Sequence, residues 1–241
     1  NNWIFTLLEE TNKLIFKNTN MKKLLFILLL ISSLTYAQTD KKVGDFNKVT
    51  AFDQITVELI ASEENKVVLS GTNSDVVEVV NKNGELKLRM PLTNLLKGNQ
   101  VNAKVYYTDL TAIEANEGSQ ISSDSSIKAI GFDIIAKEGS KIDIYLEVSN
   151  LNVKITSGGI VKTAGTAKNQ DVVISAGAIY EAKELITEQT VISINAGGEA
   201  AIFATELVDA KARAGGDILI YGNPAQINKK TVAGGHIKII K

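Results

Sequence analysis

Seven glycines recur at almost equal intervals along this sequence and constrain what the chain can fold into. The intervals between them are 21, 19, 19, 20, 18 and 19 residues. Each glycine lies in a segment of the form apolar-x-apolar-x-small-Gly-small-x-apolar, as in VKITSGGIV (153–161) and ISINAGGEA (192–200). A period of this length indicates a repeat architecture in which each unit packs on its neighbours. The seven glycines are Gly118, Gly139, Gly158, Gly177, Gly197, Gly215 and Gly234.

Apolar residues alternate with polar ones on both sides of each glycine, which is the pattern of strands with one buried face. The pattern predicts two short strands that meet at a bend, with a third short strand or turn completing each unit. A unit of about 19 residues cannot bury its apolar face alone, so the units must stack as rungs about 4.8 Å apart. The predicted fold is all-β: a single-stranded parallel β-helix, or β-solenoid, of about seven rungs. A leucine-rich repeat would need an L-x-x-L-x-L frame that is absent, and a propeller would need repeats about twice as long.

The residues before the repeats divide into three predicted parts. Residues 1–20 precede Met21 and are interpreted as translated upstream sequence without a structural role. MKKLLFILLLISSLTYAQ has the basic start, apolar run and small-residue cleavage site of a secretory signal peptide, which is predicted over 21–37. Residues 38–109 do not fit the repeat, and their strand-like runs and NKNG hairpin turn predict a β-rich N-terminal cap. We expect this cap and the solenoid, 110–241, to form one domain.

Composition narrows the expected location and partners. Residues 38–241 hold 22 basic and 25 acidic side chains, a net charge of −3, which argues against nucleic acid as a partner. The sequence has no cysteine, so disulfides are excluded. Its one long apolar run falls in the predicted signal peptide, so we expect no membrane span after cleavage. The expected location is the periplasm, the outer membrane surface or the cell exterior.

The position two residues after each glycine is the sharpest candidate for chemistry. It holds Glu199, Asp217 and the single histidine, His236, on three consecutive predicted rungs. These side chains are ligand types for a divalent cation, but such groups are common on ordinary surfaces. We therefore expect a solvated column, with no metal and no cofactor. The calcium motif G-G-x-G-x-D begins at Gly215 but is broken at Ile218. We interpret the seven glycines as structural turns.

Enzymes that act on polysaccharides also use β-helices, so catalysis has to be considered. A glycosidase needs two carboxylates held at a fixed separation across the substrate. No column of carboxylates persists over the predicted rungs, and the only tryptophan lies in residues 1–20. The best side chain for stacking on a sugar is therefore missing from 38–241. We expect no catalytic residues.

The sequence resembles a bacterial family known as the putative auto-transporter adhesin head domain, or head GIN domain, which is common in Bacteroidetes. The resemblance covers essentially all of 42–241. It rests on the opening FNKVTAFDQITVELIASEENKVVLSG, on the hairpin NKNGELKLRM, and on the repeated E-G-S-x-I and A-G-G-x-I units. The resemblance implies an extracytoplasmic, right-handed β-helix with an adhesive role and no established catalytic residues.

Three functions are consistent with these observations. The preferred one is a non-catalytic exported module that binds a surface, a glycan or a protein through a long lateral face. The alternatives are a polysaccharide-active lyase or hydrolase, and a structural envelope protein that self-associates through its HIKIIK rung (236–241).

Overall fold

The computed structural model describes residues 39–240, which form sixteen strands and two short 3₁₀ helices. The predicted upstream segment 1–20 and signal peptide 21–37 lie outside the described residues. Within 39–240 no helix is long and apolar enough to cross a membrane. The strands are β1 Thr39–Lys42, β2 Lys48–Ala51, β3 Thr56–Ala61, β4 Lys66–Gly71, β5 Glu78–Lys82, β6 Glu85–Arg89, β7 Val101–Tyr107, β8 Ala112–Ala115, β9 Gln120–Ala136, β10 Lys141–Ile155, β11 Ile160–Ser175, β12 Ile179–Asn195, β13 Glu199–Arg213, β14 Asp217–Tyr221, β15 Gln226–Val232 and β16 His236–Ile239. The 3₁₀ helices are Ser74–Val76 and Leu92–Asn94.

Strands β9 to β13 form the body of a parallel β-solenoid, as the glycine spacing predicts. Each is 15–17 residues long and pairs in parallel with the strand of the next rung. Ile142 lies opposite Val161, and Ile155 opposite Ile174, which confirms the columns obtained by aligning the repeats on their glycines. The predicted pair of short strands is, in these rungs, one continuous strand that bends around the corners. Only the last full rung is divided, into β14 and β15.

Each repeat glycine lies in a tight turn that joins one rung to the next. At Ser157–Gly158 both central residues have positive φ, 52° and 73°, and the Gly159 N–H donates to the Thr156 carbonyl at 3.0 Å. Positive φ at both central positions is the pattern of a type I′ turn. All seven repeats share this pair of positive φ values. The residue before each glycine therefore also has a left-handed backbone conformation, although that position is occupied by Ala, Ser or Glu and not by the usual Asn or Asp.

The second glycine of a Gly-Gly pair is needed for a different reason. Gly159 has no positive φ, but a Cβ there would lie 2.8 Å from the Ala136 oxygen of the preceding rung. Side chains at the equivalent position elsewhere are small, and Ser140 uses its Oγ to donate to the Ala115 carbonyl at 2.8 Å. The first glycine therefore serves the turn, and the second allows the rungs to approach closely.

The unequal glycine intervals are absorbed by bulges at the corners between strands. Between β9 and β10 the register steps from Ser122–Asp143 to Ser126–Tyr145, which accommodates the 21-residue interval. Further steps occur between β11 and β12 and between β12 and β13. The β10–β11 pair, with an interval of 19, has no step. Bulges insert residues into one strand without disturbing the register beyond them, so the core columns stay aligned.

The N-terminal region contains every strand that the sequence predicts there, and β5 and β6 form the predicted NKNG hairpin. The segment SDVVEVVNK (74–82), whose sequence is compatible with a short helix or a strand, contains both. Strands β2 and β3 also pair in parallel with β8 and β9, so they form one more rung of the stack. The turn between them is Asp53–Gln54, with φ of 58° and 66°. Because this turn has no glycine, alignment on the glycines does not detect the rung.

The outer N-terminal edge is closed by antiparallel pairs, β5 with β6, β4 with β7, and β1 with β4. A loop joins β6 to β7, and the buried Asp53 carboxylate holds it by accepting from the Met90 N–H at 2.9 Å and the Leu96 N–H at 3.0 Å. Such an end differs from the parallel rungs and covers the apolar core, which a solenoid requires.

A ladder of charges crosses the first rungs on one face. Lys48 lies between Glu85 and Glu114, at 3.1 and 2.7 Å, and Lys137 reaches Glu114 at 2.7 Å. Burial alone would raise the pKa of Glu85, but hydrogen bonds from Thr50, Lys48 and the neighbouring lysine outweigh it and lower that pKa to about 2. The pKa of Glu114 is likewise lowered, because hydrogen bonds from its two lysines outweigh its burial. These ion pairs tie consecutive rungs together.

The core is a set of apolar columns inside the stack. The column three residues before the turn glycine, Ala136, Ile155, Ile174, Ile194 and Ala212, is fully buried. A polar group interrupts the core at Tyr180, whose buried hydroxyl contacts the Gln170 amide and the Thr163 hydroxyl. On β15, Lys229 and Thr231 continue the inward columns but are exposed, because no described strand lies beyond them.

Candidate functional site

The structure places Glu199, Asp217 and His236 in one column, as their spacing predicts. Glu199 lies opposite Asp217 in the β13–β14 pair, and Asp217 lies opposite His236 in the β14–β16 pair. His236 Nδ1 and Asp217 Oδ1 are 2.9 Å apart, with the two side chains 69% and 54% exposed. This contact joins two neighbouring strands at the surface.

The column forms one wall of a shallow groove of about 510 Å³, here called the His236 groove. Its apolar surface comes from Ile179, which lies opposite Glu199 in the same column, and from Ala201 and Leu219. Ala201 and Leu219 lie between Glu181 and Lys238 in the next outward row. The groove is lined by Ile179, Tyr180, Glu181, Glu199, Ala200, Ala201, Asp217, Ile218, Leu219, His236 and Lys238. Its donors and acceptors can bind a polar ligand, and the floor can contact an apolar part of it.

The side chains of the acidic column are open to solvent. Acid–base chemistry relies on sites that exclude water and shift pKa values, whereas Asp217 and His236 are both more than half exposed. Within residues 39–240 no three His, Cys, Asp or Glu side chains come together as a metal site would require. Glu114, which lies near Glu117 in the sequence, is held by two lysines.

Two other groups of residues have structural roles. In the Ser-rich segment 122–126, the Ser123 hydroxyl donates to the Ser125 carbonyl at 2.7 Å, so this corner satisfies part of its own backbone. Of the aromatic residues on these rungs, Phe132 and Tyr180 are buried in the core, whereas Phe203 and Tyr221 are half-buried. Tyr145 is the most open of the five, with 48% of its surface exposed.

Tyr145 lies at one end of a larger groove of about 760 Å³, here called the Tyr145 groove, which the sequence does not reveal. It crosses strands β9 to β13 and is lined by Ser126, Ala129, Tyr145, Leu146, Glu147, Val148, Ser149, Gly165, Thr166, Ala167, Lys168, Ile186, Thr187, Glu188 and Thr205. The only sequence signal for the groove is the run of small residues TAGTA (163–167), which places small side chains beside the larger ones of neighbouring rungs. The groove depends on which faces of bent strands point outward, so periodicity alone does not locate it.

Comparisons with known proteins agree with this architecture. The family described as "Putative auto-transporter adhesin, head GIN domain" matches residues 45–224. This match confirms the family resemblance drawn from the sequence. No curated protein matches the chain.

Similar solved structures include three from Bacteroides and Parabacteroides. A putative adhesin from Bacteroides fragilis NCTC 9343 is 24% identical, with a TM-score of 0.78, and the alignment covers 86% of this chain and 98% of that one. A putative adhesin from Parabacteroides merdae ATCC 43184 is 16% identical, with a TM-score of 0.68 and coverage of 87% and 98%. A putative lipid binding protein from Parabacteroides distasonis ATCC 8503 is also 16% identical, with a TM-score of 0.67 and the same coverage. At these identities the likeness establishes the fold.

Proposed function

Because this chain belongs to the putative auto-transporter adhesin, head GIN domain family, we propose that it is an exported, non-catalytic module that binds its partner through a lateral face of the solenoid. The observation that carries the proposal is a pair of shallow, open grooves on the outer surface of a filled solenoid. An open groove formed by rigid strands presents a fixed set of side chains to an extended partner. The adhesin descriptions of the family and of two neighbours support the same role.

The alternatives have less support in the described residues. A polysaccharide hydrolase would need two carboxylates held on either side of the substrate, whereas Glu199 and Asp217 lie side by side in one exposed column. End-to-end self-association would use the edge formed by β15 and β16, but Lys229, Lys230 and Lys238 lie along that edge. Clustered lysines oppose pairing between two copies of the same edge.

Binding and turnover assays on residues 38–241 test the proposal. We expect saturable binding to a glycan, protein or cell-surface panel, and no release of reducing ends from polysaccharides. Substituting Leu219→Lys in the His236 groove and Thr166→Lys in the Tyr145 groove, separately, should identify the groove used. Polysaccharide turnover, or binding that survives both substitutions together, would overturn the proposal. Concentration-dependent filaments in light scattering would instead support the structural alternative.

A further inference from the structure

We propose that the Tyr145 groove binds a neutral oligosaccharide, with the Tyr145 ring as the platform on which one sugar ring stacks. The inference rests on the proposed binding function and names the groove and the ligand class. It follows from four features of the groove: an uncovered aromatic ring, balanced charges, a low floor and a length of several strands.

The Tyr145 ring is open because its neighbours across the sheet are small. Ser126 lies opposite it on β9, and Ala164 lies opposite it on β11. Neither side chain is large enough to cover an aromatic ring, and Tyr145 remains 48% exposed. Aromatic rings combine a large apolar surface with a preferred stacking geometry, and the tyrosine hydroxyl adds a hydrogen-bonding group at one end. The C–H face of a pyranose is the complementary surface.

The charges around the ring favour a neutral ligand. Glu147, two residues along β10, is paired with Lys128 at 2.8 Å. Farther along the groove, Lys168 and Glu188 contribute one charge of each sign. A sulfated, sialylated or phosphorylated ligand would meet no excess of positive charge. Sugar hydroxyls can both donate and accept, so they suit a surface that mixes carboxylate, ammonium and hydroxyl groups.

The floor of the groove is kept low by residues that have little or no side chain. At Gly165 a Cβ would lie 2.1 Å from the Leu146 oxygen of the preceding rung, so this position requires glycine. Ala164 precedes it, and Ala167 follows after Thr166. A low strip between exposed side chains gives a ligand access to the strand surface.

The groove is long enough for more than one sugar ring. Its lining residues lie on five strands, and four strand spacings amount to about 19 Å. Ile186 is 51% exposed and lies in the same outward column as Glu147, two rungs away. Glu147 is in turn two residues from Tyr145 along β10. An exposed aromatic ring and an exposed aliphatic side chain thus lie in one groove with polar groups between them. An acyl chain would prefer continuous apolar contact, whereas an oligosaccharide alternates C–H faces with hydroxyls.

The test uses residues 38–241 on a printed panel that contains neutral oligosaccharides and, on the same surface, sialylated and sulfated ones. Neutral oligosaccharides that bind are then titrated against Tyr145→Ala, Tyr145→Phe and Leu219→Ala, with melting curves recorded for each variant. We expect Tyr145→Ala to weaken binding about tenfold or more, in line with the worth of an aromatic stack. Tyr145→Phe keeps the ring and should stay within about threefold of the wild type. Leu219→Ala, in the other groove, should leave affinity unchanged.

The outcomes separate this inference from the function on which it rests. Undiminished binding by Tyr145→Ala, loss of binding by Leu219→Ala alone, or binding confined to acidic glycans overturns the sugar site. So does the absence of any bound neutral oligosaccharide. Saturable binding to a protein or lipid surface without glycan binding also overturns it, but leaves the binding module standing. Polysaccharide turnover overturns both.

Discussion

The adjacent glycines Gly158 and Gly159 should respond differently to the same substitution, because each is required for a different physical reason. At Gly158 there is open space for a Cβ, and the constraint is a φ of 73°. Alanine in the left-handed region costs about 1–2 kcal/mol, and about 0.4–1 kcal/mol is recovered from the less flexible unfolded chain. Gly158→Ala should therefore lower the free energy of unfolding by about 0.5–1 kcal/mol.

At Gly159 the constraint is contact with the preceding rung. The new Cβ would lie 2.8 Å from the Ala136 oxygen and 3.1 Å from Ile155 Cγ2. That same oxygen accepts the Thr156 N–H at 3.0 Å, so moving it weakens a hydrogen bond between rungs. Overpacking costs about 1–3 kcal/mol and a weakened hydrogen bond up to about 1 kcal/mol. After the unfolded-state gain, Gly159→Ala should cost about 1–2.5 kcal/mol.

Thermal and denaturant unfolding of residues 38–241 measures the difference, which should be about 1 kcal/mol, or about 2–4 °C in Tm for a chain of this size. Asparagine separates the two causes, since it tolerates positive φ but is larger than alanine. Gly158→Asn should recover most of the stability lost in Gly158→Ala, whereas Gly159→Asn should be no better than Gly159→Ala. Equal losses at both positions, or rescue by asparagine at Gly159, would refute this account of the pair.

Three further outcomes follow from the described contacts. The pKa values of Glu85 and Glu114 are lowered in the folded state, so their ion pairs contribute stability that is complete above about pH 4.5 and is lost as the pH falls toward 2. Tm recorded from pH 7 to 2.5 should therefore drop in that window. Glu114→Gln should lower Tm at pH 7 and make the drop at low pH smaller. Tyr180→Phe leaves the buried Gln170 amide without its hydroxyl partner and should cost about 1–2 kcal/mol, while Tyr145→Phe at the surface should leave the unfolding midpoint unchanged. Ala176→Asn places a residue suited to positive φ before a turn glycine and should stabilise by about 0.5–1 kcal/mol; an unchanged or lower denaturation midpoint would contradict the turn assignment.

The sequence predicts the stack because glycine and alternation are local signals that repeat. Once the repeats are aligned on their glycines, the pairing of Ile142 with Val161 follows from counting. The rung at Asp53–Gln54 escapes detection because its turn reaches the same backbone conformation without glycine. The left-handed alanines before the turn glycines are equally hidden, since alanine carries no preference for that conformation.

The candidate site is only partly predictable for a related reason. The column from Glu199 to His236 is visible because its members share one offset from the glycines. The Tyr145 groove cannot be recognised in this way, because it lies beyond the bulge between β9 and β10. Past that bulge, residues at the same distance from their turn glycines no longer lie opposite each other. A bulge changes which residues are neighbours by a step that the hydrophobic pattern does not record.

The parallel pairing of rungs also determines how the protein carries mechanical load. Hydrogen bonds between rungs run along the stack, so a pull on its two ends loads one rung interface after another in series. The β10–β11 interface is paired from Lys141 to Ile155, whereas β14 and β16 pair over only four positions. Both ends are held weakly, because β1 and β4 also pair over four positions, so we expect tension to unwind the described chain from its ends; each rung of about 19 residues releases about 65 Å of extended chain. A solenoid pulled through its two ends would therefore lengthen in steps of one rung, with each step set by the pairing length of a single interface.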